Sequence, residues 1–299
     1  MDRLESMRAF VAVADAASFA GAARLLGQSP PAVTRAVAAL EERIGARLLH
    51  RTTRSVRLTD AGARYLVDAK RILAEVEEAE ASASGAHTAP RGQLGLTAPV
   101  MFGRMYVAPL VLDFLARYPA VTARMVLADR LVDLMEEGLE VAVRIAHLED
   151  SSMTAVRVGD IRRVICAAPE FLAKQGRPRA PADVARASII TFATGPVPEP
   201  WVFKRGGVVE RMLPDARFSA NSNDVTIAAA VAGAGFVRAL SYQVAPELRA
   251  GKLEIVLADY EEPPLPVHVV HIAGRRASAR LRAFVDFAVE RLRSALAAR

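Results

Sequence analysis

The chain has 299 residues, 52% hydrophobic and 24% charged, with a net charge of +6 and a sequence pI near 9.9. That balance excludes a disordered chain, leaves length for two or three structural units, and favours an anionic partner. A single cysteine, Cys166, excludes an internal disulfide and no CxxC or CxxH cluster exists to hold a structural metal, a pattern that points to a reducing cytoplasm.

The opening MDRLESMRAF mixes charges into an amphipathic pattern, so no export signal is expected. Leu4, Met7, Val11 and Ala14 recur at helical spacing and predict a first helix up to residue 17. Ser18 then caps a short second helix, which ends at Gly27, a residue suited to left-handed backbone. Ser29 repeats the device, with Pro30 and Pro31 in the first turn, where a missing N–H deprives the helix of nothing. The third helix, from Pro30, should bury Val33, Val37, Leu40 and Ile44 and turn Pro31, Arg35, Ala38 and Glu42 outward. After Gly45, the run ARLLHRTTRSVRLT predicts two short strands around Thr52 to Ser55, a β-wing. Thr59 and Asp60 begin a long helix with Leu66, Leu73 and Val76 on one side, ending in a hinge at EEAEASASGAHTAPRG.

From Gln93 the pattern changes. QLGLTAP and VTARMVLAD read as strands, MYVAPLVLDFLARYP as a helix, and EVAVRIA and RRVICAAP as further strands. Such alternation predicts an α/β domain with a largely parallel sheet, closed by a last helix in ASARLRAFVDFAVERLRSAL. The apolar stretch from Val225 to Val237 is shorter than the roughly 18 residues a membrane span needs.

A short helix, a tight turn and a second helix with a slim, basic outer face suit the DNA major groove, which admits one helix. Arg35 is the base-reading candidate, because a guanidinium bonds bidentately to guanine O6 and N7. Thr34 beside it suits a phosphate or a thymine methyl. Between Arg24 and Arg57, seven arginines stand against Glu41 and Glu42, a net charge of +5. Arg51 and Arg54 on the wing are expected to neutralise phosphates. From Asp60 to Glu80, three cations face six carboxylates, so the long helix is not expected to lie on DNA. His50 stays open between a phosphate contact and a solvated wing residue. The competing reading of the whole region is a small helical core whose rim the arginines solvate.

Enzyme chemistry finds little support. His268 and His271 have HxxH spacing, but PVHVVHIAG reads as a strand, whose period sends them to opposite faces. Gly233 to Gly235 lacks the third glycine and acidic partner of a dinucleotide fingerprint, and Cys166 has no activating base nearby in sequence, which suits a buried strand residue. No catalytic residue, metal or cofactor is assigned.

The block SFAGAARLLGQSPPAVTRAVAALEERIGARLLHRTTRSVRLTDAG resembles the winged helix-turn-helix and linker-helix start of the LysR-type transcriptional regulators. FLARYPAV, VDLMEEGLEVAVRI, CAAPEFLAKQG and AGAGF resemble their regulatory domain in order, so the resemblance covers essentially the whole chain. It implies an α/β fold class: an N-terminal winged helix-turn-helix and a C-terminal two-lobed, periplasmic-binding-protein-like effector domain. The expected parts are residues 1–58 for DNA binding, 59–90 for linker helix and hinge, and 91–299 for effector binding. Within the last, lobe one takes 91–162 and 266–299 and lobe two 163–265. The crossings fall near Ile161 and Pro266, the second in a proline-rich strand poorly defined by hydrogen bonding.

The resemblance places DNA contacts at Ser29, Pro30, Pro31, Thr34, Arg35, Arg51 and Arg54. Many relatives carry glutamine where this chain has Pro30, so amide readout of an adenine is lost and the preferred operator should differ. It maps the effector cleft to Thr97, Pro99, Met101, Asp129, Arg144, Ile145, Phe192, Asn223 and Phe236. Free amides at a helix start near Pro99 and a clamp from Arg144 favour a small anionic or aromatic acid. Arg144 stays open between that clamp and a salt bridge to Asp129 or Asp133. Thr97 and Asn223 also fit turns or caps, and Phe192 and Phe236 also fit a core. The implied partners are double-stranded operator DNA, a small-molecule effector and further copies as a homodimer or homotetramer, with RNA polymerase left open. The rival classes are a solute-binding or enzymatic α/β protein with accessory helices, and an architectural DNA-binding protein without an effector.

Overall fold

The computed structural model describes residues 2–51, 56–83, 89–148, 153–195, 198–272 and 278–297. The chain divides into two compact units, Met1–Gln93 and Leu94–Arg299.

In the first unit, α1 (Arg3–Ala16), α2 (Phe19–Leu26) and α3 (Pro30–Ile44) precede β1 (Leu49–Arg51), β2 (Val56–Leu58) and the long α4 (Asp60–Ala83). The predicted caps are all in place. Ser18 Oγ accepts from the Gly21 amide at 3.1 Å, and Ser29 Oγ from the Ala32 amide at 3.4 Å. Gly27 takes φ 63° and closes α2, its neighbour Gln28 donating back to the Ala23 carbonyl. Phe10, Val13, Val33, Val37 and Leu40 meet in one core, each at most 1% exposed and each contributing about 1.5–3 kcal/mol of burial. Ile44, expected on that face, is 40% exposed, because the helix runs past the end of the core in its last turn.

The wing is antiparallel, pairing Leu49 with Leu58, His50 with Arg57 and Arg51 with Val56; its tip, Thr52 to Ser55, lies outside the described residues. Two side chains fix the wing to the helices. Glu41 Oε1 accepts from the Leu48 and Leu49 amides at 2.8 and 3.0 Å. Thr59 Oγ1 donates to the Arg47 carbonyl at 2.7 Å and accepts from the Gly62 amide at 2.9 Å, so it caps α4 while holding the strand before it. Gly62 is needed there: a Cβ on it would lie 1.9 Å from the Leu48 carbonyl oxygen.

The second unit holds two five-stranded sheets. The first, in the order β4-β3-β5-β14-β6, is built from β3 (Gly92–Ala98), β4 (Val121–Leu127), β5 (Val141–Ile145), β6 (Thr154–Ile161) and β14 (Leu265–His271). The second, β11-β8-β12-β7-β13, is built from β7 (Arg163–Ala167), β8 (Ile189–Phe192), β11 (Ala216–Ala220), β12 (Phe236–Leu240) and β13 (Glu254–Val256). A hairpin of β9 (Trp201–Arg205) and β10 (Val208–Met212) stands beside the second sheet's core. The helices are α5 (Val100–Phe102), α6 (Ala108–Arg117), α7 (Pro169–Gln175), α8 (Pro181–Ala185), α9 (Asn223–Val231), α10 (Ser241–Arg249) and α11 (Ala279–Ala297).

Both sheets are mixed, not largely parallel. β3 with β5, and β8 with both β11 and β12, run parallel, whereas β14 opposes β5 and β6, and β7 opposes β12 and β13. The chain passes from the first sheet to the second after β6 and returns at β14, and the strands at these crossings enter against the parallel ones. The returning strand is also better bonded than its prolines suggest, pairing on both sides. Pro266 is tolerated because its carbonyl accepts from Ala146, beyond the end of β5. N–H and C=O of one residue face the same side of a strand, so the missing donor falls where β5 has already ended.

One irregularity escapes the periodic reading. Between α5 and α6 the helix widens into a π-helical turn at Gly103–Val107. Pro109, in the first turn of α6, has no N–H to return to the preceding turn, which leaves that turn free to open.

Candidate functional site

On the first unit, residues 27–31 form a continuous exposed run at the start of α3, followed one turn on by exposed Arg35 and then Ala38. Ser29, Pro30, Pro31 and Arg35 therefore share one accessible face. Thr34 is half-buried and its hydroxyl donates to the Pro30 carbonyl at 2.9 Å, so it offers its methyl and lone pairs, not its proton. Arg24, Arg43, Arg47, His50 and Arg57 are also exposed on this unit. The backbone of Arg51 ends β1, and Arg54 lies outside the described residues.

On the second unit, a cavity of about 350 Å³ opens between the two sheets. Parallel strands deliver residues to it at their carboxyl ends: Thr97 from β3 and Pro99 just after it, Ile145 from β5, Phe192 from β8 and Leu240 from β12. Of the nine residues expected at the cleft, Thr97, Pro99, Asp129, Arg144, Ile145, Phe192 and Asn223 line this cavity and two do not. Met101, 5% exposed, is the second residue of α5 and faces a separate cavity of about 330 Å³. Phe236, 1% exposed, points into the core of the second sheet, edge-on to Phe171 at 5.1 Å.

The helix start near Pro99 is not an open anion seat. Asp129 Oδ1 accepts from the Val100 amide at 2.9 Å and sets a carboxylate where the acid was expected. Arg144 makes neither proposed ion pair among the described residues; it donates to the Val132 carbonyl at 3.2 Å, while Asp133 accepts from the Met135 and Glu136 amides.

The sequence reading missed the opposite wall, where Arg163, Thr191, Trp201, Arg238, Tyr242 and Gln243 also line the cavity. The Arg238 side chain, 13% exposed, lies over Trp201 at 5.7 Å from the ring centroid and donates to the Pro200 carbonyl at 3.0 Å. Glu262 is shared, 3.2 Å from Arg163 and 3.9 Å from Arg238. Burial, with Arg163 adding repulsion, pulls the Arg238 guanidinium down to about 10. Arg238 could have been flagged as a lone cation alternating with apolar residues in FVRAL. Its convergence with Arg163 depends on the antiparallel β7–β12 pairing, which no local pattern encodes.

Cys166, His268 and His271 have structural surroundings. Cys166 is fully buried in β7, and burial pushes its thiol up to about 12. His268 and His271 fall on opposite faces of β14, and burial holds both below the usual histidine value. No group of metal ligands occurs among the described residues, and no described helix is long and apolar enough to cross a membrane.

An exposed helix start within an arginine-rich segment on one unit and a ligand-sized cleft on the other define a DNA-binding regulator with an effector domain. Comparison with known proteins agrees. Residues 4–63 match the family described as bacterial regulatory helix-turn-helix protein, lysR family, and residues 87–293 match the LysR substrate binding domain. The chain is 35% identical over 292 residues to an HTH-type transcriptional repressor of Pseudomonas aeruginosa, covering 97% of this chain and 92% of that one. It is 32% identical over 286 residues to the transcriptional activator AaeR of Escherichia coli, covering 96% and 93%. The structure of CrgA, a LysR-type regulator from Neisseria meningitidis, superposes with a TM-score of 0.61 at 32% identity over 96% of this chain and 98% of that one. The chain belongs to the LysR family of transcriptional regulators and is a regulator, not an enzyme.

Proposed function

We propose that the protein works in the cytoplasm as a homodimer or homotetramer on a double-stranded operator, its output set by a small organic acid, aromatic by preference. In this reading residues 1–58 hold the DNA, 59–90 link and 91–299 sense the effector. Ser29, Pro30, Pro31 and Arg35 approach the base edges, and Arg51 and Arg54 neutralise phosphates. The effector occupies the cavity between the two sheets, beside Thr97, Pro99, Ile145, Phe192 and Asn223. Pro30 removes an amide reader, so the operator differs from those of glutamine-bearing relatives.

The observation that carries the acid reading is the cavity's charge: Arg130, Arg144, Arg163 and Arg238 line it against Asp129 and Glu199. Its aromatic wall of Phe192, Trp201 and Tyr242 favours a ring over an aliphatic chain. The test is a band shift on the gene's own upstream region, with and without aromatic acids, alongside melting curves of the full-length protein. A ligand that stabilises the fold and alters the DNA complex supports the reading. DNA binding with no response to any acid leaves the architectural alternative.

A further inference from the structure

We propose that Arg238 is the residue that anchors the effector's anionic group, and that this group is the carboxylate of a single-ring aromatic acid. The inference rests on the acid-effector reading above and assigns its chemistry to one wall of the cavity. At the opposite wall, the helix start is already occupied by Asp129, so a carboxylate placed there would meet a like charge across the 2.9 Å bond to Val100.

The second-sheet wall has the reverse imbalance. Arg163 and Arg238 share Glu262, which sits at hydrogen-bond distance from Arg163 but 3.9 Å from Arg238. The other carboxylate near Arg238, Glu199 at 3.8 Å, is 84% exposed and screened by solvent. Arg238 is thus a largely buried cation whose two carboxylates stand only at the outer limit of an ion pair, one shared with Arg163 and one in solvent, so its desolvation is incompletely offset. Its lowered pKa reports the same burial and the same repulsion from Arg163.

A planar carboxylate matches the guanidinium fork bidentately, and its desolvation is repaid most where the partner is already dry. The ring attached to it would lie against Phe192 and the Trp201 wall, with Thr97, Thr191 and Tyr242 supplying hydroxyls to the lining for a ring substituent. A cavity of about 350 Å³ accommodates one substituted ring, near the small end of ligand pockets.

The test uses full-length protein, with benzoate, salicylate and cinnamate as acids, benzamide as the neutral isostere and inorganic phosphate as the other anion, read by calorimetry and melting shift. The wild type is expected to bind at least one acid and to bind benzamide at least about tenfold more weakly than benzoate. Arg238→Gln should weaken acid binding at least about tenfold, Arg238→Lys should recover part of it, and Arg144→Gln should weaken it less. Wild-type-like acid affinity in both Arg238 variants overturns the anchor and leaves the acid reading standing. If Arg238→Gln does not fold, an Arg238→Lys variant that binds as tightly as wild type overturns it alone. Phosphate binding in place of every acid overturns the carboxylate assignment. A wild type that binds no acid refutes the acid reading and the anchor with it.

Discussion

Glu41 provides the sharpest test of how the wing is held. By charge alone, Glu41→Ala should strengthen DNA binding, since it removes one of two carboxylates from a region of seven arginines. The structure gives the opposite sign. Glu41 Oε1 accepts from two backbone amides, Leu48 and Leu49, whose residues are each 1% exposed. Hydrogen bonds to a charged acceptor contribute about 1.5–3 kcal/mol each, and a buried amide left without one keeps its desolvation penalty. Allowing for relaxation and water entry, the pair is worth about 3 kcal/mol of local stability, which is roughly a hundredfold in a local opening constant. Hydrogen exchange of the 46–51 segment in full-length protein should accelerate by about that factor in Glu41→Ala. Glu41→Gln, which keeps a carbonyl acceptor, should accelerate it by about tenfold. DNA affinity should fall in both, because Arg47 and the β1 backbone lose their fixed positions. Exchange within about twofold of the parent, together with tighter DNA binding, would refute the structural role and leave Glu41 as a plain surface charge.

Four further outcomes follow from the same geometry. Arg35→Ala should lose about 1–3 kcal/mol of specific binding with little change in the salt slope, whereas Arg57→Ala should weaken all duplexes alike and lower that slope by about one, as band shifts across a salt series would show. Gly62→Ala should destabilise the first unit by about 3 kcal/mol, because its Cβ meets the Leu48 carbonyl oxygen at 1.9 Å and the three nearest atoms are all Leu48 backbone; a parental melting curve would contradict this. Glu140→Gln should cost about 3 kcal/mol in denaturant unfolding, since Arg280, 6% exposed, would lose the carboxylate bonded to it at 2.8 Å. Burial holds His271 below its ordinary value of 6.5, so the folded state binds its proton less readily than the unfolded state. Its contribution is fully present above pH 6.5 and is lost as pH falls from there through the lower folded value, and His271→Gln should flatten melting temperature against pH in that window.

Much of the first unit was legible because its determinants are local. Ser18, Ser29, Gly27 and Gly45 act on amides and carbonyls within a turn of themselves, so sequence spacing is enough to place α2 and α3. Ile44 failed because periodicity gives the face of a helix but not where the neighbouring core ends. In the second unit, strands and helices were readable one by one, yet their directions were not. A segment such as RRVICAAP carries the same alternation whether it runs with its neighbours or against them. Met101, mapped to the cleft by the resemblance, does not line it, because the helix turns its side chain into the core before widening at Gly103.

The missed wall of the cavity has a further physical consequence. Arg162 lies between β6 and β7 at the first crossing, and Glu261 precedes β14 at the second. They are joined by two hydrogen bonds of 2.7 Å, and next to them Arg163 pairs with Glu262. The two passages between sheets are therefore tied to each other by charge, and Glu262 is the member that also faces Arg238. An anion on Arg238 would take over the part of Glu262 that Arg238 now attracts and leave that carboxylate to Arg163. Occupancy of the cavity and the charge balance at the crossings are thus linked through one shared oxygen, Oε2 of Glu262. Coupling of this kind requires contiguous groups with competing partners, not a long relay. It would place the response to ligand at the crossings between the two sheets.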